Sequence, residues 1–539
     1  MRRWNGWAEE GPDVAVPEAA LTLLARLVGP GSPSRDVALE SVVARVPPSR
    51  LVPHAYIATE AVDRIRHATG QSFSDWVAMR SGRYVAFPDG VARPTAATAV
   101  RELLELAGRS GAVVVPYGGG TSVVGGVTPA DPGRPTLTVA LEALVGLRAI
   151  DRASGLATFG AGTTGPDLER TLRAHGLTLG HSPQSFHRST LGGWVATRSA
   201  GHASMGVGRI EDLFAGGHVE APGGAVDLPP HPASAAGPDL RQLILGSEGR
   251  FGIITDVTVR AMPPPDTEAI RSWFLPSWEA GLEAARSLAR AGVPLSMVRL
   301  STPAETSTFR ALGRPSRLAG PLDRYLAARG IGPSPSLLIV ATQGRRSVVA
   351  ATLVAAGSIV HAAGGVGTVA DLGGRWLRGR FRSAQLRDAL WSRGYGIDTL
   401  ETAVDWATLP ELAAAVEAAL RDGLAAYGER VHAFSHLSHV YPSGSSLYTT
   451  YVFRLAADPD ENLARWRALK GAASDEIVRH GATISHQHGV GRDHAPYLEH
   501  EKGALGMELI EAVKVRLDPD GVMNPGVLLA TDDGVAVRS

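Results

Sequence analysis

The chain has 539 residues, of which 44% are hydrophobic and none is cysteine, with 53 basic side chains against 53 acidic ones. That length exceeds what one hydrophobic core usually supports, so two or more packed units are expected. The balanced charge leaves no field to draw nucleic acid, and the absence of cysteine excludes disulfides, thiolate metal sites, iron–sulfur clusters and cysteine nucleophiles.

In chain order, Met1-Arg2-Arg3-Trp4-Asn5-Gly6-Trp7 runs into acidic positions rather than an apolar stretch. No run of about 18 apolar residues follows anywhere, so neither a signal peptide nor a membrane span is expected. The ending Ala536-Val537-Arg538-Ser539 is not a peroxisomal signal. A cytoplasmic setting is the expectation, and heavy use of Ala, Gly and Arg suits a high-GC bacterial genome. Residues 1–90 mix short helical patterns with breaks at Pro47-Pro48 and Pro53, and read as a helical lid or wrap. From Arg93 the pattern sharpens. Thr95 is placed to cap a helix whose apolar face is Val100, Leu103, Leu104 and Leu106, ending at Gly111 before a strand at 112–115. Strands at 137–141 and 157–160, a helix at 167–174 and a strand at 251–259 complete an α+β unit over 91–264. Pro263-Pro264-Pro265 marks its end. Strands at 272–275, 295–300 and 337–342, with helices at 278–291 and 346–356, predict a second unit over 265–500 with antiparallel α/β layers, the expected place for substrate. A helical pattern over 504–517 and a turn at Asp518-Pro519-Asp520-Gly521 close the chain, and 501–539 is expected to return to the first unit.

The most informative segment is Pro116-Tyr117-Gly118-Gly119-Gly120-Thr121-Ser122-Val123-Val124-Gly125-Gly126, directly after the β-branched Val113-Val114-Val115. Glycines let the backbone take positive φ and approach a ligand closely, so bare N–H groups can converge on phosphate oxygens. The run has neither P-loop nor Rossmann spacing, and alone it reads equally well as a ligand-free turn. Two further segments change that: 182–197, with Leu191-Gly192-Gly193-Trp194, and Gly246-Ser247-Glu248-Gly249-Arg250-Phe251-Gly252-Ile253-Ile254-Thr255. Three such segments suffice to wrap the diphosphate, ribityl chain and isoalloxazine of a flavin dinucleotide.

On these segments, together with Trp4 to Trp7, Arg209 to Leu213, Glu401-Thr402, Tyr441 to Tyr448 and Ser485 to Gly491, most of the chain resembles the vanillyl-alcohol oxidase and p-cresol methylhydroxylase superfamily. Within it the likeness is greatest to the alkyldihydroxyacetonephosphate synthase family. The resemblance implies an α+β fold: a two-subdomain FAD-binding domain of the p-cresol methylhydroxylase type plus an α/β cap domain with an antiparallel sheet. It implies that Pro116, Tyr117, Gly118, Gly119, Gly120, Thr121 and Ser122 form the diphosphate loop. Gln184, Ser185, Ser189, Thr190, Gly193, Thr197, Arg198, Ser199 and Ala200 would then lie along the flavin, with Glu248, Gly252, Ile253 and Ile254 as the last set. Covalent members carry a histidine in the first loop; this chain has none there, so non-covalent FAD is expected.

The resemblance also points to the reacting groups. Arg299 and Arg387 match arginines of the synthase family, Arg387 as phosphate ligand, a task suited to a planar guanidinium. Read without it, either is a surface arginine or an ion-pair member, as Arg387 would be with Asp388. Tyr448 stands at the family's catalytic tyrosine, a role that requires cationic neighbours to lower the phenol's pKa; histidines are candidates for that, and the bland reading is a strand aromatic. Tyr451 should face the other way and pack. Ser485-His486-Gln487-His488-Gly489-Val490-Gly491 resembles a run of three histidines with Gln487 in the middle, and on a strand His486 and His488 would share one side. His436 and His439 could join them as metal ligands, but Tyr441-Pro442-Ser443-Gly444-Ser445-Ser446 holds no acidic ligand, and no metal is expected.

The implied activity exchanges the acyl group of acyl-dihydroxyacetone phosphate for a long-chain alkyl group on FAD without net redox. The alternative is an FAD-dependent oxidase or dehydrogenase of an alcohol or 2-hydroxy acid; a third reading is a flavin-binding protein with a decayed site. The partners this implies are a phosphate-bearing lipid substrate and a long-chain alcohol, with peripheral contact to a membrane and a homodimer retained, and no nucleic acid.

Overall fold

A computed structural model describes residues 3–11, 15–129, 133–312, 319–368 and 371–530. The extreme N-terminal pair and the last residues, on which the targeting expectations partly rest, lie outside them. Three sheets organise the chain. The first has the order β1-β2-β4-β3, from β1 (Ile57–Ala58), β2 (Gly90–Ala92), β3 (Val113–Tyr117) and β4 (Thr136–Ala140). Helix α1 (Phe73–Ser81) begins on a capping box between Ser72 and Asp75. Helix α2 (Ala97–Ser110) precedes β3 and buries Ala99, Val100, Leu103, Leu104 and Ala107 before ending on Gly111 at φ 65°. Thr95 does not cap it; the cap position is Ala96, and Ala107 rather than Leu106 completes the buried stripe.

The second sheet has the order β5-β6-β9-β7-β8, from β5 (Leu147–Asp151), β6 (Leu156–Gly160), β7 (Phe214–Ala221), β8 (Gly224–Leu228) and β9 (Ile253–Arg260). Helix α3 (Leu191–Ala196) packs on its β9. One apolar core joins the two sheets, running from Leu103 and Leu137 through Phe159 and Trp194 to Val257 and Met523. Met523 lies there beside β3: the Val114 N–H donates to the Val522 carbonyl at 2.8 Å, and the Asn524 N–H to the Val114 carbonyl at 2.8 Å.

The third sheet has the order β13-β10-β12-β11-β15-β16-β14, and all its pairings are antiparallel as expected. Its strands are β10 (Thr267–Leu275), β11 (Met297–Ser301), β12 (Ser336–Gly344), β13 (Val366–Gly367), β14 (Tyr395–Asp405), β15 (Val431–Leu437) and β16 (Gly444–Arg454). Helices α4 (Trp278–Arg290), α5 (Arg346–Ala362), α6 (Ser383–Trp391), α7 (Leu409–Asp422) and α8 (Pro459–Arg479) cover it, and α9 (Leu498–Leu517) leads to the terminal return. Part of the N-terminal segment is wedged into this sheet's core. Phe73 and Trp76 of α1 are fully buried in this third core, with Phe73 5.6 Å from Trp391, 5.4 Å from Phe453 and 6.0 Å from Trp466 between ring centres.

Candidate active site

The three glycine segments meet. A Cβ on Gly119 would stand 1.9 Å from the Arg188 carbonyl, one on Gly118 2.5 Å from Thr190 Oγ1, and Gly249, at φ +77°, would press one to 2.9 Å from the Pro116 ring. Only glycine allows these approaches, and Gly120 needs its positive φ of +62° besides. Among the described residues the N–H groups of Gly120, Thr121 and Ser122 donate to no protein acceptor, so the loop presents unspent amides, as a diphosphate requires. These residues fit a flavin dinucleotide.

The fit is made by backbone more than by side chains. Tyr117 gives its hydroxyl to the Thr69 carbonyl at 3.1 Å, Thr190 caps α3 by accepting from the Gly193 N–H at 3.3 Å, and Thr197 Oγ1 donates to the Gly193 carbonyl at 2.9 Å. Ser189 accepts from Trp194 Nε1 at 2.7 Å and Ser199 meets His181 Nε2 at 3.2 Å. Arg198, at φ 51°, pairs with Glu211 at 3.0 Å. Glu248 is likewise committed, accepting from the Val490 and Gly491 N–H groups at 2.6 and 2.7 Å, while burial lifts its pKa to about 7. Gly252, at φ +127°, opens β9 for Ile253 and Ile254, Ala200 is buried, Ser185 offers its carbonyl to Ser189 at 3.0 Å, and Gln184 lies exposed.

The expected reacting groups come from the third sheet. Register places Glu401, Tyr448 and His436 side by side on β14, β16 and β15, with Ser301 of β11 next in the row. The Tyr448 ring stacks on His436 at 4.9 Å and meets His488 edge-on at 5.6 Å. Tyr451 faces away as anticipated, fully buried, its hydroxyl donating to Asp398 at 3.1 Å.

The centre of this arrangement is Glu401, quoted above only as part of a matching segment and given no role. Glu401, 1% exposed, gathers the whole 486–488 segment: His486 Nδ1 lies 3.2 Å from Oε1, outside hydrogen-bond alignment, Gln487 Nε2 donates to Oε2 at 2.5 Å, and His488 Nε2 is 4.0 Å from Oε2. Ser438 donates to the same Oε1 at 2.5 Å and His439 Nδ1 is 3.4 Å from it. Burial works to raise the Glu401 pKa, and the imidazoles of His439 and His486 hold it well below the ordinary value. Tyr441, whose hydroxyl is 2.7 Å from His486 Nε2, and Arg209, donating to the His486 carbonyl at 2.9 Å, complete the cluster. The available signal for Glu401 was a lone carboxylate inside the strand-like Leu400-Glu401-Thr402-Ala403-Val404.

Three expectations change. Residues 485–491 form no strand: Gly489 and Gly491 take φ of 85° and 55°, and His486 and His488 share Glu401 through an irregular turn instead. The histidines do not supply positive charge to Tyr448. Burial holds His486 at about 4 and pushes His488 and His436 down as well, so all three are neutral at pH 7, while burial and then Glu401 raise the phenol. The cation acting on that phenol is Arg387. Finally, the four histidines considered as a metal set are split. His436 sits on Glu305 at 2.9 Å, while Glu401, His439 and His486 place ligand atoms within 4.8 Å of one another. His439 Nε2 is engaged with the Gly201 carbonyl at 3.2 Å.

Arg387 and Arg299 have different stations. Arg387, on α6, donates to the Gln71 carbonyl at 2.6 Å, lies 4.7 Å over the Trp76 ring and faces Asp398 at 3.5 Å, while its Nε and Nη2 have no hydrogen-bond partner. Its neighbour Asp388 is taken by Arg80 at 2.6 Å, so the anticipated Arg387–Asp388 pair is absent. Arg299 stands one layer behind the site. It donates to Ser301 at 2.7 Å and Glu305 at 2.9 Å, and Glu305 in turn holds His436. Burial works to raise Glu305, and Arg299 and His436 hold it at about 2.

Residues 88–226 match the model of an FAD binding domain and residues 264–528 that of the C-terminal domain of FAD linked oxidases. A cradle of this kind under an antiparallel cap defines a two-domain FAD-dependent enzyme, and FAD is its cofactor. A Caenorhabditis elegans alkyldihydroxyacetonephosphate synthase is 30% identical over 86% of this chain and 80% of its own length, and one from Trypanosoma brucei brucei is 28% identical over 98% and 92%. A solved alkyldihydroxyacetonephosphate synthase shares the fold at a TM-score of 0.82, covering 97% of this chain and 98% of its own, at 23% identity. The chain belongs to the alkyldihydroxyacetonephosphate synthase family. Among the described residues no helix is long and apolar enough to cross a membrane.

Proposed function

We propose that the chain exchanges the acyl group of acyl-dihydroxyacetone phosphate for a long-chain alcohol, without net redox, on a dissociable FAD. The observation that carries this reading is the Tyr448 phenol, held between two neutral imidazoles and across from Glu401, with Arg387 the cation that acts on it. FAD, when bound, supplies an electrophilic ring. In the exchange the ester C–O bond to the sugar carbon breaks and the fatty acid leaves as carboxylate; the alcohol oxygen bonds to that carbon and gives up a proton. In this reading Tyr448, kept protonated by burial and Glu401, is the proton donor at that centre, with neutral His488 edge-on to its ring. The Nε and Nη2 of Arg387, which make no hydrogen bond, are the donors for substrate phosphate in this reading. Arg299 acts at one remove, fixing Glu305 and thereby the His436 ring under Tyr448. The absence of histidine from Gly118 to Thr121 supports a non-covalent flavin. A cytoplasmic or peripheral membrane setting, a dimer and a bacterial source belong to the same proposal.

Purified holoenzyme incubated with acyl-dihydroxyacetone phosphate and labelled hexadecanol should form labelled ether product with no lasting bleaching of the flavin. Persistent anaerobic bleaching by an alcohol or 2-hydroxy acid would install the redox alternative. Tyr448→Phe should lower exchange by roughly 10²–10⁴-fold, the scale of a lost acid–base group, with the yellow flavin retained. Full activity in that variant removes Tyr448 from the chemistry.

A further inference from the structure

Beside the Tyr448 row the protein buries charge that it compensates only in part: Arg387 faces Asp398 at 3.5 Å, and Lys470 has no ion pair among the described residues. Lys470 of α8 is 2% exposed, and its ammonium makes one long contact, 3.5 Å to the Thr399 carbonyl on the sheet-edge strand β14. Among the described residues it has no other hydrogen bond and no ion pair. Asp493 is 7% exposed with Oδ2 unpartnered, and the same holds for Arg387 Nε and Nη2, Gln71 Nε2 and His488 Nδ1. These atoms belong to one neighbourhood. Arg387 donates to the Gln71 carbonyl and faces Asp398, the residue before Thr399; Trp466, one helical turn before Lys470, donates to the same Asp398 at 2.8 Å. The charge on Lys470 is felt by both His488 and Asp493.

A buried ammonium with one distant carbonyl is costly, and an anion bound beside it would offset that cost. We propose that Lys470 is a substrate-binding residue, the second cation of a two-cation subsite whose first member is Arg387 and whose ligand is a phosphate monoester dianion. The inference rests on the proposed function and deepens it by fixing how the headgroup is selected. A guanidinium whose Nε and Nη2 make no hydrogen bond supplies direction and an ammonium supplies a point charge, where a neutral alcohol would leave the ammonium uncompensated. The nearby carboxylates do not compete equally. Asp398 is occupied by Tyr451 and Trp466, Asp75 by Ser72 and Thr128, and Asp493, which burial lifts to about 7, reaches its neutral form near neutrality.

The test is titration of FAD-loaded protein with inorganic phosphate at fixed ionic strength, read by flavin difference absorbance or calorimetry. Lys470→Met should weaken phosphate binding roughly tenfold or more, the scale of one lost charge-assisted contact, with Lys470→Arg within about threefold of wild type. FAD content and the flavin midpoint potential should be unchanged, and the KM for acyl-dihydroxyacetone phosphate should rise more than kcat falls. If the methionine variant does not accumulate folded, Lys470→Gln makes the same comparison. The inference is overturned if wild type binds no phosphate, if the charge-free variants bind it as well as wild type, or if they shift the flavin potential while leaving phosphate binding intact, which would give Lys470 to the flavin. Lysine-dependent phosphate binding without acyl exchange would retain the subsite and reject the proposed reaction; exchange with an unaltered KM in Lys470→Met would do the reverse.

Discussion

The cradle and the cap recognise by different means. At 116–122 the work is done by backbone: glycines packed to within a Cβ's reach of Arg188 and Thr190, and amides left unspent. In the cap it is done by side chains brought from distant strands, with Glu401, Tyr448 and His436 in one row of the sheet and 486–488 drawn to the same carboxylate. A backbone site tolerates changes in most side chains but no added Cβ; a side-chain site is the reverse. Substitutions in the two regions should therefore fail differently, the first in cofactor content and the second in turnover.

The largest effect is expected at Gly119. Replacement by alanine puts a Cβ 1.9 Å from the Arg188 carbonyl, and because that neighbour is backbone the loop itself must move. Gly119→Ala should purify with little or no FAD and lose activity in proportion, as read by the flavin-to-protein absorbance ratio. An alanine variant that keeps stoichiometric FAD would show that the 118–120 loop is not the cradle.

An intermediate effect is expected at Glu401. Its carboxylate accepts from Ser438 and Gln487 and faces three imidazoles, whereas an amide would turn an N–H₂ group toward donors. Losing charge-assisted bonds of this kind costs about 1.5–3 kcal/mol each. Glu401→Gln should lower kcat by roughly 10–10³-fold with FAD content at the wild-type level. Loss of flavin in this variant, or full turnover, would erase the distinction between the two regions.

How much of each region could be read beforehand follows the same division. The diphosphate loop is local: a β-branched strand, glycines at adjacent positions and no side-chain partner to identify, so 116–122 declared itself. Tyr448, the 486–488 run and Glu401-Thr402 were found through resemblance, but Glu401 was given no role because its meaning lies in the register of β14 on β16 and in a turn some 85 residues later, which no window of sequence contains. The error about 485–491 has a similar origin. Alternating histidines imitate a strand, whereas Gly489 and Gly491 and the pull of Glu248 on the next two amides bend the chain. Burial also reversed the electrostatics: histidines that looked like cations for Tyr448 are neutral once enclosed.

The smallest effect, one of stability, is expected at Asp493, where cap and cradle touch: its N–H reaches the Val124 carbonyl of the glycine run at 3.3 Å while its carboxyl is buried with one oxygen unpartnered. Burial raises this pKa from 3.8 to about 7, so the folded chain binds more protons at Asp493 than the unfolded chain between those values. Stability is therefore greatest below the unfolded value and falls as pH rises through that window, levelling off above about 7. An asparagine has no charge to bury. Asp493→Asn should match wild type near pH 4 and exceed it at pH 8 by a few kcal/mol at most, read as a rise of several degrees in Tm or a higher denaturant midpoint in the FAD-loaded protein. An identical pH profile in the two proteins would mean that the carboxylate stays charged and compensated in the fold, and that Lys470 is its partner rather than the substrate's.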